Sequence, residues 1–356
     1  MRELHIQQAN TRKEIPKTNE LVFGRHYSDH MFVMDYEDGK GWFNPRIVPY
    51  NPITLDPAAM IFHYGQTVFE GLKAYRTSDD QILMFRPEEN FKRLNRSSER
   101  LSMPKVHVDE MIVYLKQLLK LDKEWIPKEE GYSLYIRPFI ISTESNLSLA
   151  PSKTYTCMII LSPVGSYYKE GIKPVRIHVE EDYTRAVKGG TGTAKTAGNY
   201  SAAYKAQEKA TEEGYSQVLW LDGIEKKYIE EVGSMNVFFK INGEVVTPKL
   251  NGSILEGITR KSIIELLQKW GIIVNERQIS IDELFTAYER GELEEAFGTG
   301  TAAVISPVGE LKWNDRQMVI NNRQTGDLAQ KLYITLTSIQ TGKEEDPFGW
   351  VVHVQE

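Results

Sequence analysis

The stretch GGTGTAKTAGNYS, residues 189–201, sets one lysine, Lys195, among small and hydroxyl-bearing residues. It contains four glycines, three threonines and two alanines, and almost nothing that could pack into a hydrophobic core. The lysine therefore needs another explanation. The residues around Lys195 allow three explanations: a phosphate-binding loop, a solvated surface lysine, or an amine that bonds covalently to a carbonyl.

The first explanation is the phosphate-binding loop of a nucleotide hydrolase. The residues from Gly189 to Thr196 match the pattern G-x-x-x-x-G-K-T, except that Ala194 replaces the last glycine. A strand-like VLWLD segment ending at Asp222 would supply an acid for magnesium. The Cβ of Ala194 argues against this explanation, because backbone N–H groups must wrap the phosphates closely at that position.

The second explanation is an ordinary solvated lysine, and the third is a lysine that forms a Schiff base. A Schiff-base lysine must be partly desolvated, so that a useful neutral fraction of the amine exists near pH 7. Small flanking residues would let a flat cofactor ring approach the backbone. Tyr200, which follows shortly after Lys195, could then hydrogen bond to a phenolate oxygen on that ring.

Such a cofactor would also need an acid for its pyridine nitrogen. Glu230 and Glu231 are adjacent in the strand-like segment YIEEVGSMN, so one of them points inward. A buried acid there requires a cationic partner. The alternative, that both are surface acids, stays open on these residues alone.

Two glycine- and threonine-containing segments could bind a phosphate group. In LEGITRKS, Gly257 and Thr259 precede a helix predicted from Arg260, whose N-terminus favours an anion. In FGTGTAAV, the turn of residues 299–301 offers hydroxyl and amide groups. Either segment alone is a weak signal, because Gly-Thr turns are common.

Composition limits the classes of function. The chain has 356 residues, 41% of them hydrophobic, and a net charge of -6 from 43 basic and 49 acidic residues. It therefore lacks the basic field that binds nucleic acid. No apolar run is long enough to span a bilayer, and the single cysteine, Cys157, suits a reducing compartment. We predict a cytoplasmic protein with no membrane partner, no nucleic-acid partner and no metal.

The apolar patterns predict two α+β domains. Residues 1–167 form a smaller domain, 168–178 a linker and 179–356 a larger domain. The smaller domain should contain two hairpins and two amphipathic helices, one that begins at Pro87 and one capped by Asp109. In the larger domain, a helix over 200–213 should follow the lysine segment.

Several segments occur together in the order and spacing of the branched-chain amino acid aminotransferases, and the match runs from about residue 21 to the last helix. They are HYGQTVFEGLKAYR, YIRPFI, GGTGTAKTAGNY, LWLDG, EEVGSMN, GITR and FGTGTAAV. This resemblance implies the class IV pyridoxal phosphate-dependent aminotransferase fold, an α+β fold with a smaller α/β domain and a larger pseudo-barrel domain. It also implies pyridoxal 5'-phosphate as cofactor and a homodimer with a shared active site.

The resemblance also assigns roles by position. Lys195 resembles the catalytic Schiff-base lysine, Tyr200 the residue facing the ring oxygen, and Glu231 the acid on the pyridine nitrogen. The other implied cofactor-binding residues are Arg93, Ser234, Ile258, Thr259 and Thr301. The implied substrate-binding residues are Phe23, Tyr64, Phe69, Tyr135, Arg137, Leu149, Tyr167, Thr301 and Ala302. Ser234 departs from the threonine that is common in the family, but it keeps the hydroxyl.

The implied reaction moves the amino group of L-leucine, L-isoleucine or L-valine to 2-oxoglutarate, reversibly and by a ping-pong mechanism. Aromatic residues would hold the aliphatic side chains, and Arg137 would bind the side-chain carboxylate of glutamate. D-amino acid aminotransferase and 4-amino-4-deoxychorismate lyase share the lysine, the acid and the phosphate loops, and they stay open as alternatives. The nucleotide hydrolase stays open as an alternative from another class.

Overall fold

The computed structural model describes residues 2–165 and 172–355. The described residues form two compact units. Unit 1 takes in those within Met1–Ser166, Ala194–Ala197 and Ser338–Glu356, and unit 2 those within Tyr167–Thr193 and Gly198–Thr337. Tyr167 and the predicted linker positions 168–171 lie outside the described residues.

The strands and helices alternate along the chain. In chain order the strands are β1 His5–Ile6, β2 His30–Glu37, β3 Gly41–Pro49, β4 Thr67–Phe69, β5 Leu72–Arg76, β6 Ile82–Phe85, β7 Ser133–Ser142, β8 Thr154–Val164, β9 Val175–Glu180, β10 Gln217–Leu221, β11 Ile229–Val232, β12 Asn236–Ile241, β13 Glu244–Pro248, β14 Val274–Arg277, β15 Leu293–Gly300, β16 Val304–Trp313, β17 Arg316–Val319 and β18 Val351–His353. The α-helices are α1 Met60–Tyr64, α2 Pro87–Arg100, α3 Val108–Leu121, α4 Ala197–Ser201, α5 Tyr204–Glu212, α6 Ile258–Lys269, α7 Ile281–Glu289 and α8 Asp327–Gln340. Short 3₁₀ turns occur at Thr18–Glu20, Lys123–Trp125 and Asn321–Arg323.

Unit 1 is built on a sheet with the strand order β1-β3-β2-β8-β7-β5-β6-β18, and β4 pairs separately with β7. Both predicted hairpins are confirmed, since β2 pairs with β3 and β5 with β6, each antiparallel. The core of the unit includes Phe32, Phe91 and Tyr114, none of them accessible to solvent. Burial of such large side chains is the main force that holds the two helices on the sheet.

The two amphipathic helices of unit 1 differ in how well they were predicted. Helix α2 begins at Pro87, as expected. Helix α3 begins at Val108, and no side-chain hydrogen bond caps it at His107, so the predicted cap at Asp109 is wrong. The helix begins two residues earlier than a cap at Asp109 would require, which places Asp109 in its first turn, where a negative charge is still favourable.

Unit 2 is built on a second sheet, with the strand order β11-β10-β9-β16-β15-β12-β13-β14 and with β17 on β16. Strand β11 also contacts β12 and β13, so the sheet curls back on itself. The predicted helix over 200–213 is instead two short helices, α4 and α5. The chain tightens at Ala203, whose N–H donates to the carbonyl of Tyr200, and this three-residue bond interrupts the α-helical pattern.

Two segments do not lie where the predicted domains would put them. Thr196 forms a bridge with Val68, which places residues 194–197 in unit 1. Strand β18 pairs with β6, which places the C-terminal segment there too. The boundaries at 167 and 179 stay a prediction. Within the described residues, no helix has both the length and the apolar composition needed to cross a membrane.

Candidate active site

The lysine segment is held in unit 1 by its main chain. The N–H of Lys195 donates to Ser97 Oγ at 2.9 Å, and its carbonyl accepts the N–H of Phe69 at 3.0 Å. The next residue, Thr196, pairs with Val68 in an antiparallel bridge, so the segment lies like a short strand beside β4. The position of Lys195 is therefore set by bonds that do not depend on its side chain.

Several of the predicted substrate-binding residues surround this lysine. Lys195 Nζ lies 5.1 Å from the centroid of the Phe69 ring, and the guanidinium carbon of Arg137 lies 4.7 Å from the same centroid. Arg137 Nη2 donates to the Tyr135 hydroxyl at 3.0 Å. The ring of Phe23 packs edge-on against Tyr135, with 4.9 Å between the centroids. Two cations and three aromatic rings thus form one cluster.

One glycine permits this cluster to form. Gly71 lies so close to Tyr135 that a Cβ on Gly71 would overlap the tyrosine hydroxyl. Any larger residue at this position would displace Tyr135 and, with it, the partner of Arg137 Nη2. Arg137 Nε is buried and has no hydrogen-bond partner among the described residues, so this guanidinium retains a donor for a further ligand.

The predicted phosphate-binding arginine, Arg93, pairs with a fully buried acid, Glu70. Arg93 Nε lies 2.7 Å from Glu70 Oε1, and Arg93 Nη2 lies 2.9 Å from Glu70 Oε2, which is a bidentate arrangement. Asn90 Nδ2 donates to the same carboxylate at 2.8 Å. Burial would raise the pKa of Glu70, but the charge and hydrogen bonds of Arg93, the charge of Lys195 and the Asn90 bond together hold it below its ordinary value.

Three predicted cofactor residues of unit 2 line one cavity of about 220 Å³: Tyr200, Glu231 and Ser234. Glu231 is 3% exposed. Its Oε1 accepts the N–H of Leu255 at 2.8 Å, and its Oε2 lies 3.2 Å from Arg185 Nε. Arg185 thus supplies the cationic partner that a buried acid requires.

The structure distinguishes the two adjacent acids of β11. Glu230 Oε1 accepts hydrogen bonds from Asn251 Nδ2 at 3.0 Å and from the Ser253 hydroxyl. Glu231 instead lines the cavity with Tyr200. The two side chains point to opposite sides of the strand, as adjacent strand residues do. Both are buried, so the interpretation of both as surface acids is wrong.

The predicted phosphate-binding segments of unit 2 are a helix start and a turn. Helix α6 begins at Ile258, two residues before the predicted start at Arg260, and its N-cap Gly257 has no side chain to cap the first N–H groups, which suits a helix start that binds an anion. Thr301 and Ala302 lie in the turn that joins β15 to β16. Beside them, Thr299 Oγ1 is buried and has no hydrogen-bond partner among the described residues.

Three predicted substrate residues lie at the surface of unit 1, and one of them is Phe23, which is 52% exposed although it packs on Tyr135. Tyr64, in α1, is 42% exposed, and its hydroxyl donates to the carbonyl of Leu147. Leu149 is 89% exposed. None of these three side chains is buried by the residues that the structure describes, whereas Tyr135 is buried and Phe69 and Arg137 are partly buried.

Sequence reasoning assigned no role to Glu70, Ser97 or Arg185. Glu70 lies within the quoted segment HYGQTVFEGLKAYR, but nothing local marks it as the partner of Arg93. One signal was available in α2, where the polar residues Asn90, Arg93 and Ser97 share a helix face by their spacing. A buried polar stripe of this kind indicates a network rather than a solvated surface.

The chain belongs to the class IV aminotransferases, because residues 67–311 match the family described as Amino-transferase class IV. It is 64% identical over 351 residues to branched-chain-amino-acid aminotransferase 2 of Bacillus subtilis, with 99% of this chain and 97% of that protein covered. The predicted resemblance to the branched-chain amino acid aminotransferases is therefore confirmed.

Solved structures have the same fold. The crystal structure of Escherichia coli branched-chain amino acid aminotransferase matches with a TM-score of 0.76 and 26% identity, covering 92% of this chain and 99% of that one. The branched-chain aminotransferase of Thermoproteus uzoniensis with norvaline matches with a TM-score of 0.76 and 28% identity, covering 91% of this chain and 99% of that one. The predicted class IV fold is confirmed, and the curled sheet of unit 2 agrees with the predicted pseudo-barrel.

Proposed function

We propose that this protein is a pyridoxal phosphate-dependent transaminase that moves the amino group of L-leucine, L-isoleucine or L-valine to 2-oxoglutarate. The observation that carries the proposal is the 64% identity, along 99% of the chain, to a relative named for this activity. The cluster around Lys195 supports it, because it joins an amine to an aromatic pocket with a second cation.

The absorbance of the purified protein tests this function. We expect a yellow protein whose absorption band is lost on addition of L-leucine and restored by 2-oxoglutarate, as a ping-pong mechanism requires. A response to D-alanine and none to L-leucine would favour a D-amino acid aminotransferase. Release of 4-aminobenzoate from 4-amino-4-deoxychorismate would favour the lyase.

The conformation of the lysine segment argues against a nucleotide hydrolase. A phosphate-binding loop directs its backbone N–H groups at the anion. Here the N–H of Lys195 donates to Ser97, and Thr196 pairs with Val68. These main-chain groups are already used within the protein, so we do not retain that alternative.

The residues present fit pyridoxal phosphate. Glu231 lines a cavity with Tyr200 and Ser234, which provides an acid, a phenol and a hydroxyl for a substituted pyridine ring. The uncapped start of α6 at Ile258 and the unpartnered hydroxyl of Thr299 suit a phosphate group. We propose that Arg93, Thr259 and Thr301 also bind that phosphate.

When bound, the cofactor supplies the carbonyl carbon that receives the amino group and a ring that spreads carbanion charge. We propose that Lys195 bonds to that carbon and that its amine, once displaced by the substrate, moves the proton away from the substrate Cα. The main-chain bonds to Phe69 and Ser97 keep the lysine in place while its side chain changes partners. The lysine can therefore act first as a base and then as an acid.

Glu231 would keep the pyridine nitrogen protonated, because a nearby negative charge favours the cationic form. Its second partner, Arg185, orients the carboxylate, and the N–H of Leu255 holds the other oxygen. Tyr200 would donate to the ring oxygen. Each of these groups is part of an ordered unit, so little reorganisation is needed as charge develops.

The substrate pocket would be formed by the cluster around Phe69. The rings of Phe69, Tyr135 and Phe23 would contact an aliphatic side chain, and Arg137 would bind the side-chain carboxylate of glutamate or 2-oxoglutarate. The bond from Arg137 to the Tyr135 hydroxyl fixes one edge of the guanidinium. We also propose that Ala302 and Thr301 bind the substrate carboxylate through their amides.

Replacement of Arg137 by alanine should impair glutamate more than leucine. We expect single-turnover rates with glutamate to fall about 100-fold, because a buried carboxylate would lose a charged partner, and rates with leucine to fall less than about tenfold. The leucine half-reaction is the internal control, since it uses the same lysine and cofactor. Equal losses for both substrates would contradict the proposed role of Arg137.

We further propose a homodimer in which the neighbouring subunit completes the site. An exposed apolar patch on unit 1 supports it, formed by Phe62 and Tyr64 of α1 with Leu147 and Leu149. Apolar patches of this kind mark interaction surfaces. A second copy that covers the patch would bury Tyr64 and Leu149, two of the residues expected to contact substrate.

Replacement of Phe62, which is 62% exposed, by glutamate should therefore dissociate the dimer. The measurement is sedimentation velocity over a range of concentrations. The matched control is Ile224→Glu in unit 2, where the isoleucine is 78% exposed but lies outside the patch. A Phe62→Glu protein that sediments like the wild type would contradict the proposal.

We also propose that the protein is cytoplasmic, since its single cysteine, Cys157, is buried as a free thiol.

A further inference from the structure

One face of α2 carries buried polar residues, and two of them bond to Glu70, an acid that has no part in the reaction described above. Asn90, Arg93 and Ser97 recur at the spacing of neighbouring helix turns. Asn90 and Arg93 both bond to the carboxylate of Glu70, and Ser97 accepts the N–H of Lys195. The same helix face therefore contacts Glu70 and the main chain of the lysine segment.

These contacts connect Glu70 to Lys195 along two routes, one through Phe69 and one through α2. Glu70 directly follows Phe69, whose N–H donates to the carbonyl of Lys195 at 3.0 Å. Ser97 holds the N–H of the same lysine at 2.9 Å, and Arg93 lies one helical turn before Ser97. The bidentate bond between Arg93 and Glu70 completes the route through α2. A change at Glu70 would therefore alter the spacing of Arg93 and Lys195.

Glu70 also orients the arginine. It occupies Nε and Nη2, so Nη1 of Arg93 lies on the side of the guanidinium away from this carboxylate. Asn90 and the N–H of Gly71 bond to Glu70 Oε2, which fixes the acid in turn. Because both charged side chains are buried, the pair has few alternative arrangements.

We propose that Glu70 is a positioning residue for the cofactor: it holds the Arg93 guanidinium by one edge for the phosphate and sets the distance from that guanidinium to Lys195. This inference rests on the proposed roles of Arg93 and Lys195. Glu70 would act through Arg93, because its side chain is fully buried and bonds to that arginine.

The test compares cofactor binding in the wild type and in Glu70→Gln. The protein is stripped of cofactor, and the dissociation constants of pyridoxal phosphate and of pyridoxal, which lacks the phosphate, are measured by fluorescence. We expect the preference for the phosphorylated compound to fall about tenfold, because a misplaced guanidinium loses a charged hydrogen bond. An absorbance titration of the reconstituted protein should move to lower pH, because Glu70→Gln removes a negative charge near the linkage between Lys195 and the cofactor.

Glu310→Gln is the matched control. Glu310 is fully buried and pairs with Arg176 at 3.0 Å and with Arg323 at 2.7 Å, but it lies outside the candidate site. Both variants should lose thermal stability, because each replaces a buried carboxylate that accepts charged hydrogen bonds from arginine. Only Glu70→Gln should change the phosphate preference and the absorbance titration. If the two variants behave alike in both measurements, Glu70 is merely structural and the inference is wrong.

A second variant keeps the inference testable if Glu70→Gln does not fold. Glu70→Asp retains the charge but shortens the side chain by one methylene, so the phosphate preference should fall while the absorbance titration stays in place. An unchanged preference in Glu70→Asp would overturn the positioning role. A wild-type protein that binds no pyridoxal phosphate through Lys195 would instead contradict the proposed function itself. Cofactor binding by the wild type is therefore measured first, before the variants are compared with it.

Discussion

Turnover of L-leucine should fall at least about 10⁴-fold when Lys195 is replaced by alanine, because we propose this lysine as both the covalent partner of the cofactor and the proton carrier. The fold should survive this change. The bonds that hold the segment come from the main chain of Lys195, to Ser97 and Phe69, and alanine retains them. The melting temperature should therefore stay within about 3 °C of the wild-type value.

The measurements are steady-state kinetics, the absorption spectrum after incubation with pyridoxal phosphate, and thermal unfolding. The matched control is Lys188→Ala, which removes an exposed lysine just before the same glycine-rich segment. We expect that control to keep wild-type activity and the yellow colour. A Lys195→Ala protein that retains the absorption band would place the covalent bond on another side chain and would overturn the central assignment.

Replacement of Glu231 by glutamine should lower turnover by at least about 100-fold, which corresponds to about 3 kcal/mol of activation free energy. Glutamine cannot hold the pyridine nitrogen in its protonated form, so the ring would accept carbanion charge less well. The change also leaves Arg185 without its ionic partner at 3.2 Å. Loss of one member of a buried pair costs about 3–5 kcal/mol, so stability should fall as well.

The adjacent acid provides the control for this second prediction. Glu230→Gln alters the same strand and an equally buried carboxylate, but its partners are Asn251 and Ser253 rather than the cavity. We expect Glu230→Gln to lose stability with little change in turnover per folded molecule. If the two variants lost turnover equally, the loss would reflect damage to β11 and not the chemistry of the pyridine nitrogen.

Local patterns were sufficient for much of the fold of unit 1. The turn at Asp38 and Gly39 and the apolar pattern around it predicted the hairpin of β2 and β3, because turn chemistry and alternation are properties of neighbouring residues. The start of α2 at Pro87 was predicted for the same reason. The start of α3 and the break between α4 and α5 were not, since helix ends depend on competing bonds of similar energy.

The family and the proposed role of Lys195 were both predicted from the linear chain, because motifs such as GGTGTAKTAGNY specify residue types at short spacings. Resemblance favours Glu231 over Glu230 as the acid for the pyridine nitrogen. Only packing shows which of the two side chains of β11 faces the cavity. The bond between Glu70 and Arg93 likewise joins residues that are distant in the chain. Such pairings depend on how β4, α2 and the lysine segment pack together, and burial rewards them only after the chain has folded.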